Sequence, residues 1–408
     1  MKFFLKLAWK NVFRNKRRTV IASIAIGIGL ASLIVTDGIM IGMKKNLIDS
    51  ATSTLLGEAQ IHNRDFRLTQ DVEKTIEDPD IITKDLKKEL AVRNFSHRVI
   101  SFGMVTSPSN VESIILYGIV PNEERFLSKV DDNILEGDYF SDNNVRDIVI
   151  GEKLAKVLEV TIGDRIVITV AQACSGDLGQ DMFRVSGIYR FGIKEMDNGM
   201  AFIRLNKAQQ MLNLKNKIHE IAINFTDLNF AGNKNADFWQ KYSKGQNEAV
   251  SWVKILPELK NMLEMSNLSM AIMGMILFVV VVFGIINTLF MSLYERMFEF
   301  GILRAVGTRP SGIRKLIIFE SAVLAFISII IGVILGFIIM MILVKWGIDY
   351  RGIEMAGAVI SDMLYPVVEL RQFIIYPFFV FIFTVLIGLY PAFVAGKIVI
   401  TDALRKSL

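Results

Sequence analysis

The sequence of 408 residues holds one cysteine, Cys174. No disulfide can form within the chain, and a cysteine-rich zinc frame is excluded. Histidine is almost as scarce. His62, His97 and His219 are scattered, show no metal-ligand spacing, and read as strand or surface residues. A phosphate-binding G-x-x-x-x-G-K-[ST] run is missing. Its nearest approach, residues 307–314, carries Ile313 and Arg314 where the lysine and the hydroxyl residue would stand. There is no nucleophile elbow and no H-E-x-x-H. The acid pairs Glu123-Glu124 and Asp131-Asp132 read as solvated turns. No catalytic residue, cofactor site or metal site is therefore expected in this chain.

Apolar length is what the sequence has in quantity. It is 52% hydrophobic, and four runs exceed the roughly 20 residues needed to cross a bilayer core. They give spans at 19–43, 267–293, 316–346 and 373–396. The first and second are separated by a polar stretch of more than two hundred residues, 44–266. The expected class is a membrane α-helical protein with four transmembrane helices and a large extracytoplasmic α+β domain between helices 1 and 2.

The net charge of +5 needs no nucleic acid to explain it; its distribution is more telling. Lys2, Lys6, Lys10, Arg14, Lys16, Arg17 and Arg18 precede the first span. Arg296, Arg304, Arg309, Arg314 and Lys315 lie between the second and third. Lys397, Arg405 and Lys406 follow the fourth. The positive-inside rule makes 1–18, 294–315 and 397–408 cytoplasmic, with 44–266 and the short loop 347–372 outside. Both termini are then cytoplasmic, and the first span reads as a retained signal anchor.

Along the chain, FFLKLAWKNVFR (3–14) places Phe4, Leu5, Ala8, Trp9 and Val12 on one helical stripe, an interfacial pattern. Span one is rich in small residues, among them Gly27, Gly29, Ala31 and Ser32, which permit close helix approach. Asp37, near its outer end, is expected to snorkel to the interface. In 44–266 we expect a helical continuation to residue 56, then strands at 57–63, 101–105, 113–118, 183–189, 200–203 and 218–224. Helices are expected at 80–93, 207–212 and 236–241. Residues 147–170 read as strand, helix, turn, strand. AQACSGDLGQD (171–181) reads as an exposed hairpin tip. In span three, Gly332 and Gly336 form G-x-x-x-G, and Glu320 is expected to pair with Arg314 or Lys315.

Between spans two and three lies YERMFEFGILRAVG (294–307), too polar for the bilayer and too short for a domain. On a helix, Phe298, Ile302 and Ala305 share one face, with Leu303 beside them. Periodicity alone leaves this segment either as a surface or groove-binding helix or as a charged topological loop. The run NTLFMSLYERMFEFGILRAVGTRPSGIRKLIIFESAVLAFISIIIGVILG (287–336) closely resembles the permeases of the MacB, FtsX and LolC/LolE group of ABC transporters. So do GEAQIHN at 57–63, the G-x-x-L-A-x-x-L and G-D-x-I-x-I elements within 147–170, and LYPAFVAGKIVITDALR at 389–405.

That resemblance implies a coupling helix that docks on a separate ATPase. It places Glu295, Arg296, Glu299, Gly301, Arg304, Ala305 and Gly307 at or near the contact, and Phe300 and Leu303 are its expected apolar anchors. It further implies two copies of an ABC ATPase subunit, which bind the ATP and Mg, and a second permease, identical or a sister chain. The outer domain is expected to have two lobes, with boundaries near 95 and 215. In LolC-type permeases a projecting loop hooks a periplasmic lipoprotein carrier. The positional match here is Ala173, Cys174, Ser175, Gly176, Asp177, Leu178 and Gly179. The function so implied is lipoprotein release from the bacterial inner membrane, with a lipoprotein substrate. MacB-type efflux of drugs or peptides and FtsX-type signalling to a cell-wall hydrolase are the alternatives. The short stretch before span one weighs against the first, and the large domain with its G-x-x-Q-I-H strand against the second.

Overall fold

An apolar span in a bilayer must satisfy its backbone hydrogen bonds internally, which favours the helix. The computed structural model describes residues 2–140, 144–173, 176–233, 235–349, 354–355, 358–359 and 363–397. Among the described residues, four helices are long and apolar enough to cross a membrane: Thr19–Leu56, Pro257–Glu295, Pro310–Trp346 and Gln372–Gly396. The helices of this part are α1 (Lys2–Arg14), α2 (Lys16–Ala51), α3 (Pro257–Glu295), α4 (Met297–Ala305), α5 (Pro310–Trp346) and α6 (Gln372–Gly396). They form one compact unit, save that the end of α2 from Leu47 and the start of α3 up to Met262 belong to a second unit with the chain between them.

In the helical unit, Ile26, Leu30 and Ile34 of α2 pack against Val281, Ile285 and Leu289 of α3, Leu324 and Met340 of α5 and Val380 of α6. The small residues of α2 and the G-x-x-x-G of α5 meet each other. A Cβ on Gly332 would stand 2.8 Å from the carbonyl oxygen of Gly27, so neither position has room for a larger side chain. Asp37 does not snorkel. Its side chain is buried and accepts a hydrogen bond from the Tyr376 hydroxyl of α6. With one methylene, aspartate lacks the reach that lets lysine or arginine leave a span.

The second unit is α+β. Its strands are β1 (Ala59–Asn63), β2 (Val92–Thr106), β3 (Val111–Ile119), β4 (Ile134–Gly137), β5 (Asp147–Gly151), β6 (Arg165–Ala171), β7 (Leu178–Tyr189), β8 (Met200–Arg204), β9 (Glu220–Phe225) and β10 (Asn247–Ser251). The order is β10-β1-β9-β2-β3-β8-β5-β7-β4, and β6 bonds to both β2 and β7. The pairings β2-β3-β8-β5-β7-β6-β2 therefore close on themselves in a ring of six strands. Beside it, β9, β1 and β10 continue from the first half of β2. Along one edge β2 pairs with β9 over Val92 to Arg98 and with β6 over Gly103 to Thr106, and along the other with β3 from Arg98 onward. The sheet is thus continuous where a lobe boundary near 95 was expected, because β2 runs through that point. The helix expected at 80–93 stops earlier, as Pro79–Leu86, since pairing with β9 draws the chain into β2 from Val92.

Glu124 is not in a solvated turn. Arg98, Glu124 and Glu220 form a buried trio at the one β2 residue that pairs with both β9 and β3. Arg98 Nη2 and Nε donate to the two Glu124 oxygens at 2.5 and 3.0 Å, and Nη1 donates to Glu220 Oε1 at 2.8 Å. Ser96 Oγ adds a 2.7 Å bond to Glu124. The charge pairing satisfies groups that otherwise could not be buried.

Next to the trio, His219 Nδ1 accepts from the Ile100 amide at 2.9 Å, and its Nε2 lies 2.8 Å from the Val72 carbonyl. This fixes the neutral tautomer with the proton on Nε2. Burial pushes the imidazole down from 6.5 to about 4, although the Val72 carbonyl opposes the shift. A base depressed in the folded state contributes stability that is complete above pH 6.5 and is lost as pH falls toward 4. The loss should approach ~3 kcal/mol. Glu220 acts in the opposite sense, since burial raises its carboxyl. Denaturant titrations of wild type and His219→Gln isolate the imidazole: the variant should lack its share of the slope between pH 4 and 6.5.

Residues 44–266 should also fold as a separate fragment in chelator and reductant. Circular dichroism of a random coil under those conditions would contradict the self-contained core formed by Ile100, Tyr117, Ile119, Val149, Tyr189 and Phe202.

Candidate coupling site

Helix α3 ends at Glu295 and α4 begins at Met297, so Arg296 alone breaks the helical path, with φ −108° and ψ 11°. Helix α4 closes after Ala305. Gly307 then adopts φ +100°, a left-handed conformation that glycine takes without strain. Pro310 starts α5 in the position where its missing N–H costs nothing. One break, one turn of left-handed glycine and one proline thus set a nine-residue helix between two spans.

The segment's side chains separate into two sets. Phe298, Ile302, Leu303, Ala305 and Val306 are exposed, Val306 most of all. These include the face that helical spacing picks out. Glu295 and Gly307 are exposed and Arg304 is half-buried. Phe300 and Gly301 are buried. Phe300 is not on the outward face as an anchor would be: it packs with Ala8, Val12, Leu293, Ile313 and Ile317 in the unit's own core. Alternation along so short a helix leaves the inward face undetermined until α1 is in place.

Arg296 is buried and lies 5.0 Å above the Phe300 ring. Its Nη1 donates to Glu320 Oε2 at 2.6 Å and its Nε to Glu299 Oε2 at 3.1 Å. Glu320 therefore pairs with Arg296 and with Asn11, whose Nδ2 donates to Oε1 at 2.7 Å, rather than with Arg314 or Lys315. Those two leave from the first turns of α5; Arg314 stacks over Phe393 of α6 at 4.8 Å. Glu299 also accepts from Arg14. Partial burial raises the Glu299 carboxyl, but hydrogen bonds from Arg14 and Arg296 hold it below the usual range. Burial disfavours the Arg296 charge, and Glu320 and Glu299 more than offset this, so its pKa is raised. A cavity of about 40 Å³ adjoins the cluster, with Thr19, Thr288 and Ser292 on its wall. Arg304 Nη1 donates to the Gly396 carbonyl at 3.1 Å, placing a cation at the negative end of α6.

Helix α1 divides the stripe expected of it. Ala8 and Val12 are buried, with Phe4 and Leu7 packed beside them. Leu5, Trp9 and Phe13 face outward, Trp9 and Phe13 with ring centroids 5.0 Å apart.

In the other unit, the hairpin between β6 and β7 is shorter than its composition suggests, since Leu178 and Gly179 already belong to β7. Ala173 is buried and its amide donates to the Leu212 carbonyl. A Cβ on Gly179 would lie 2.4 Å from the Met211 carbonyl oxygen, so this base is fastened to the neighbouring helix. Gly176, Asp177 and Leu178 are exposed. Cys174 and Ser175 lie outside the described residues, as does the 398–408 tail with the A-L-R signature. The sheet face leading to the hairpin carries exposed Phe102 and Met104 on β2, Val111 on β3, and Leu178 and Met182 on β7.

Two family models cover most of the chain. Residues 19–229 match the MacB-like periplasmic core domain, and residues 271–400 match the FtsX-like permease C-terminal domain. Among curated proteins, the lipoprotein-releasing system transmembrane protein LolC of Xylella fastidiosa is 22% identical over 71% of this chain and 72% of its own length. LolE of Haemophilus influenzae is 21% identical over 82% of this chain and 81% of its own. Among solved structures, the periplasmic region of MacB from Actinobacillus actinomycetemcomitans aligns over 52% of this chain and 96% of that one, at 14% identity and a TM-score of 0.35. Four apolar helices, a strand-rich domain following the first, and matches to both models agree: the chain belongs to the ABC-transporter permeases of the MacB/FtsX type.

Proposed function

We propose that this permease extracts lipoproteins from the outer leaflet of the bacterial inner membrane and passes them to a periplasmic carrier. The observation that carries this reading is the match to LolC and LolE proteins along most of the chain rather than in one motif. In this reading two ATPase subunits, which hold ATP and Mg, bind the exposed face of α4 from the cytoplasm. Both termini are cytoplasmic. A second permease, identical or a sister chain, covers the largely exposed apolar flank of α3. The exposed hairpin residues Gly176, Asp177 and Leu178 meet the carrier, and the apolar sheet face beside them suits a lipidated cargo.

ATP closure of the ATPase pair displaces α4. The spans pass that displacement to the periplasmic domain, where cargo is lifted. The chain carries no G-x-x-x-x-G-K-[ST] run. Purified alone it should show no ATP turnover, and turnover should appear when the ATPase is added. In proteoliposomes, a photocrosslinker at Asp177 should capture the carrier, and ATP should release a reporter lipoprotein onto it. Release without this permease, or no release with the complete set, would exclude the reading.

A further inference from the structure

Helix α1 looks like a surface anchor from its outward Leu5, Trp9 and Phe13, yet two of its polar residues, Asn11 and Arg14, bond to the cluster around Arg296. Asn11 and Arg14 stand one turn apart on α1, and each takes a different carboxylate. The four carboxylate oxygens of the cluster have four assigned contacts. Glu320 Oε1 accepts from Asn11 and Oε2 from Arg296; Glu299 Oε1 accepts from Arg14 and Oε2 from Arg296. The ring thus joins α1, the α3–α4 break, α4 and α5. One residue, Asn15, separates α1 from α2. That corner is itself closed: Thr19 Oγ1 donates to the Val12 carbonyl, and the Thr19 amide to the Asn15 carbonyl at 3.1 Å. A linker this short and this bonded has little freedom to absorb a movement of α1.

We propose that α1 is part of the coupling element. Asn11 and Arg14 are positioning residues that lock it to α4 and α5, so that displacement of α4 passes through α1 into the first span. This rests on the reading of α4 as the ATPase contact. It adds a second route beside the direct continuation of α4 into α3 and α5. Bonds to two carboxylates suit such a lock: Glu320 is buried, so without Asn11 its Oε1 loses its hydrogen bond while Oε2 stays with Arg296, and the more exposed Arg14–Glu299 pair adds a second, weaker tie.

The test uses the full chain in lipid nanodiscs, alone and with its ATPase. The key variant is Asn11→Leu combined with Arg14→Glu. Arg14→Lys keeps the charge, and Lys10→Glu makes the same charge change on an exposed α1 residue outside the ring. Hydrogen exchange of α1 amides should quicken about tenfold in the double variant, with or without the ATPase. Substrate-stimulated ATP turnover should fall about fivefold while the ATPase still co-purifies, within the range that coupled neighbours show. Arg14→Lys and Lys10→Glu should stay close to wild type in both measurements. Wild-type exchange or wild-type stimulation in the double variant overturns the proposal, as does an equal loss in Lys10→Glu. If wild type captures no ATPase, the reading of α4 has failed instead, and exchange in the chain alone still decides whether the ring holds α1.

Discussion

Arg98→Ala should cost the periplasmic domain about 3–5 kcal/mol, the penalty of leaving buried charge without its partner. Arg98 is 1% exposed and Glu124 fully buried, so water cannot replace the guanidinium. Two carboxylates would then face each other with only Ser96 to help. Removing one acid is milder. Glu220→Gln keeps a hydrogen-bond acceptor near Nη1 and leaves Arg98 with Glu124, a neutral pair, so its loss should be about 1 kcal/mol. The comparison is made by chemical denaturation of the domain at pH 7. Equal losses for the two variants would show that the trio contributes through packing and not through charge. Because the trio sits where β9 and β3 both pair with β2, the strands β9, β1 and β10 should loosen from the ring first, and hydrogen exchange would locate that loss.

The second large effect lies on α4. Phe298→Ala with Ile302→Ala should remove two exposed apolar anchors from the ATPase contact. At about 2 kcal/mol for each buried anchor, the pair weakens association roughly a thousandfold. The isolated permease should keep its stability, because both side chains face outward. Phe300→Ala should do the reverse. It empties a core position beneath Arg296 and should destabilise the helical unit by about 3–5 kcal/mol before any effect on docking. Arg304→Glu should impair coupling more than Arg309→Glu, since Arg304 also holds the end of α6 through Gly396. Pull-down of the ATPase and thermal unfolding of the permease, measured on the same variants, separate docking from folding. Full capture by the Phe298/Ile302 double variant would sink the docking role of this face.

The four spans were legible in the sequence because twenty apolar residues in a row admit few other structures. The outward face of α4 was legible too, since Phe298, Ile302 and Ala305 recur at helical spacing. The inward face was not. Phe300 and Leu303 look alike in a nine-residue helix until Ala8 and Val12 arrive from three hundred residues away. Glu320 seemed bound to pair with charges nearby in the chain, Arg314 or Lys315, but its partners come from the α3–α4 break and from Asn11, which has no charge to mark it. Glu124 failed for the same reason: an acid pair near a turn is ordinarily solvated, and only the pairing of β2 with β9 brings Arg98 and Glu220 over it. Short elements such as β10 depended on β1 for their existence. Local pattern carried the elements, and distant partners decided which polar residues were buried.

β2 has 15 residues, about 50 Å at the rise of an extended strand. β9 pairs with it as far as Arg98 and β3 from Arg98 onward, so no stretch of it is left without a partner strand and it behaves as a beam along its length. The domain on it should therefore tilt as a whole instead of folding at the waist. A stroke delivered to the three-stranded end would arrive at the hairpin tip with little slack to take up. Compliance then has to come from the short connections at either end of the domain. Stiffening those connections, with the sheet left untouched, should slow the cycle without weakening the grip on cargo.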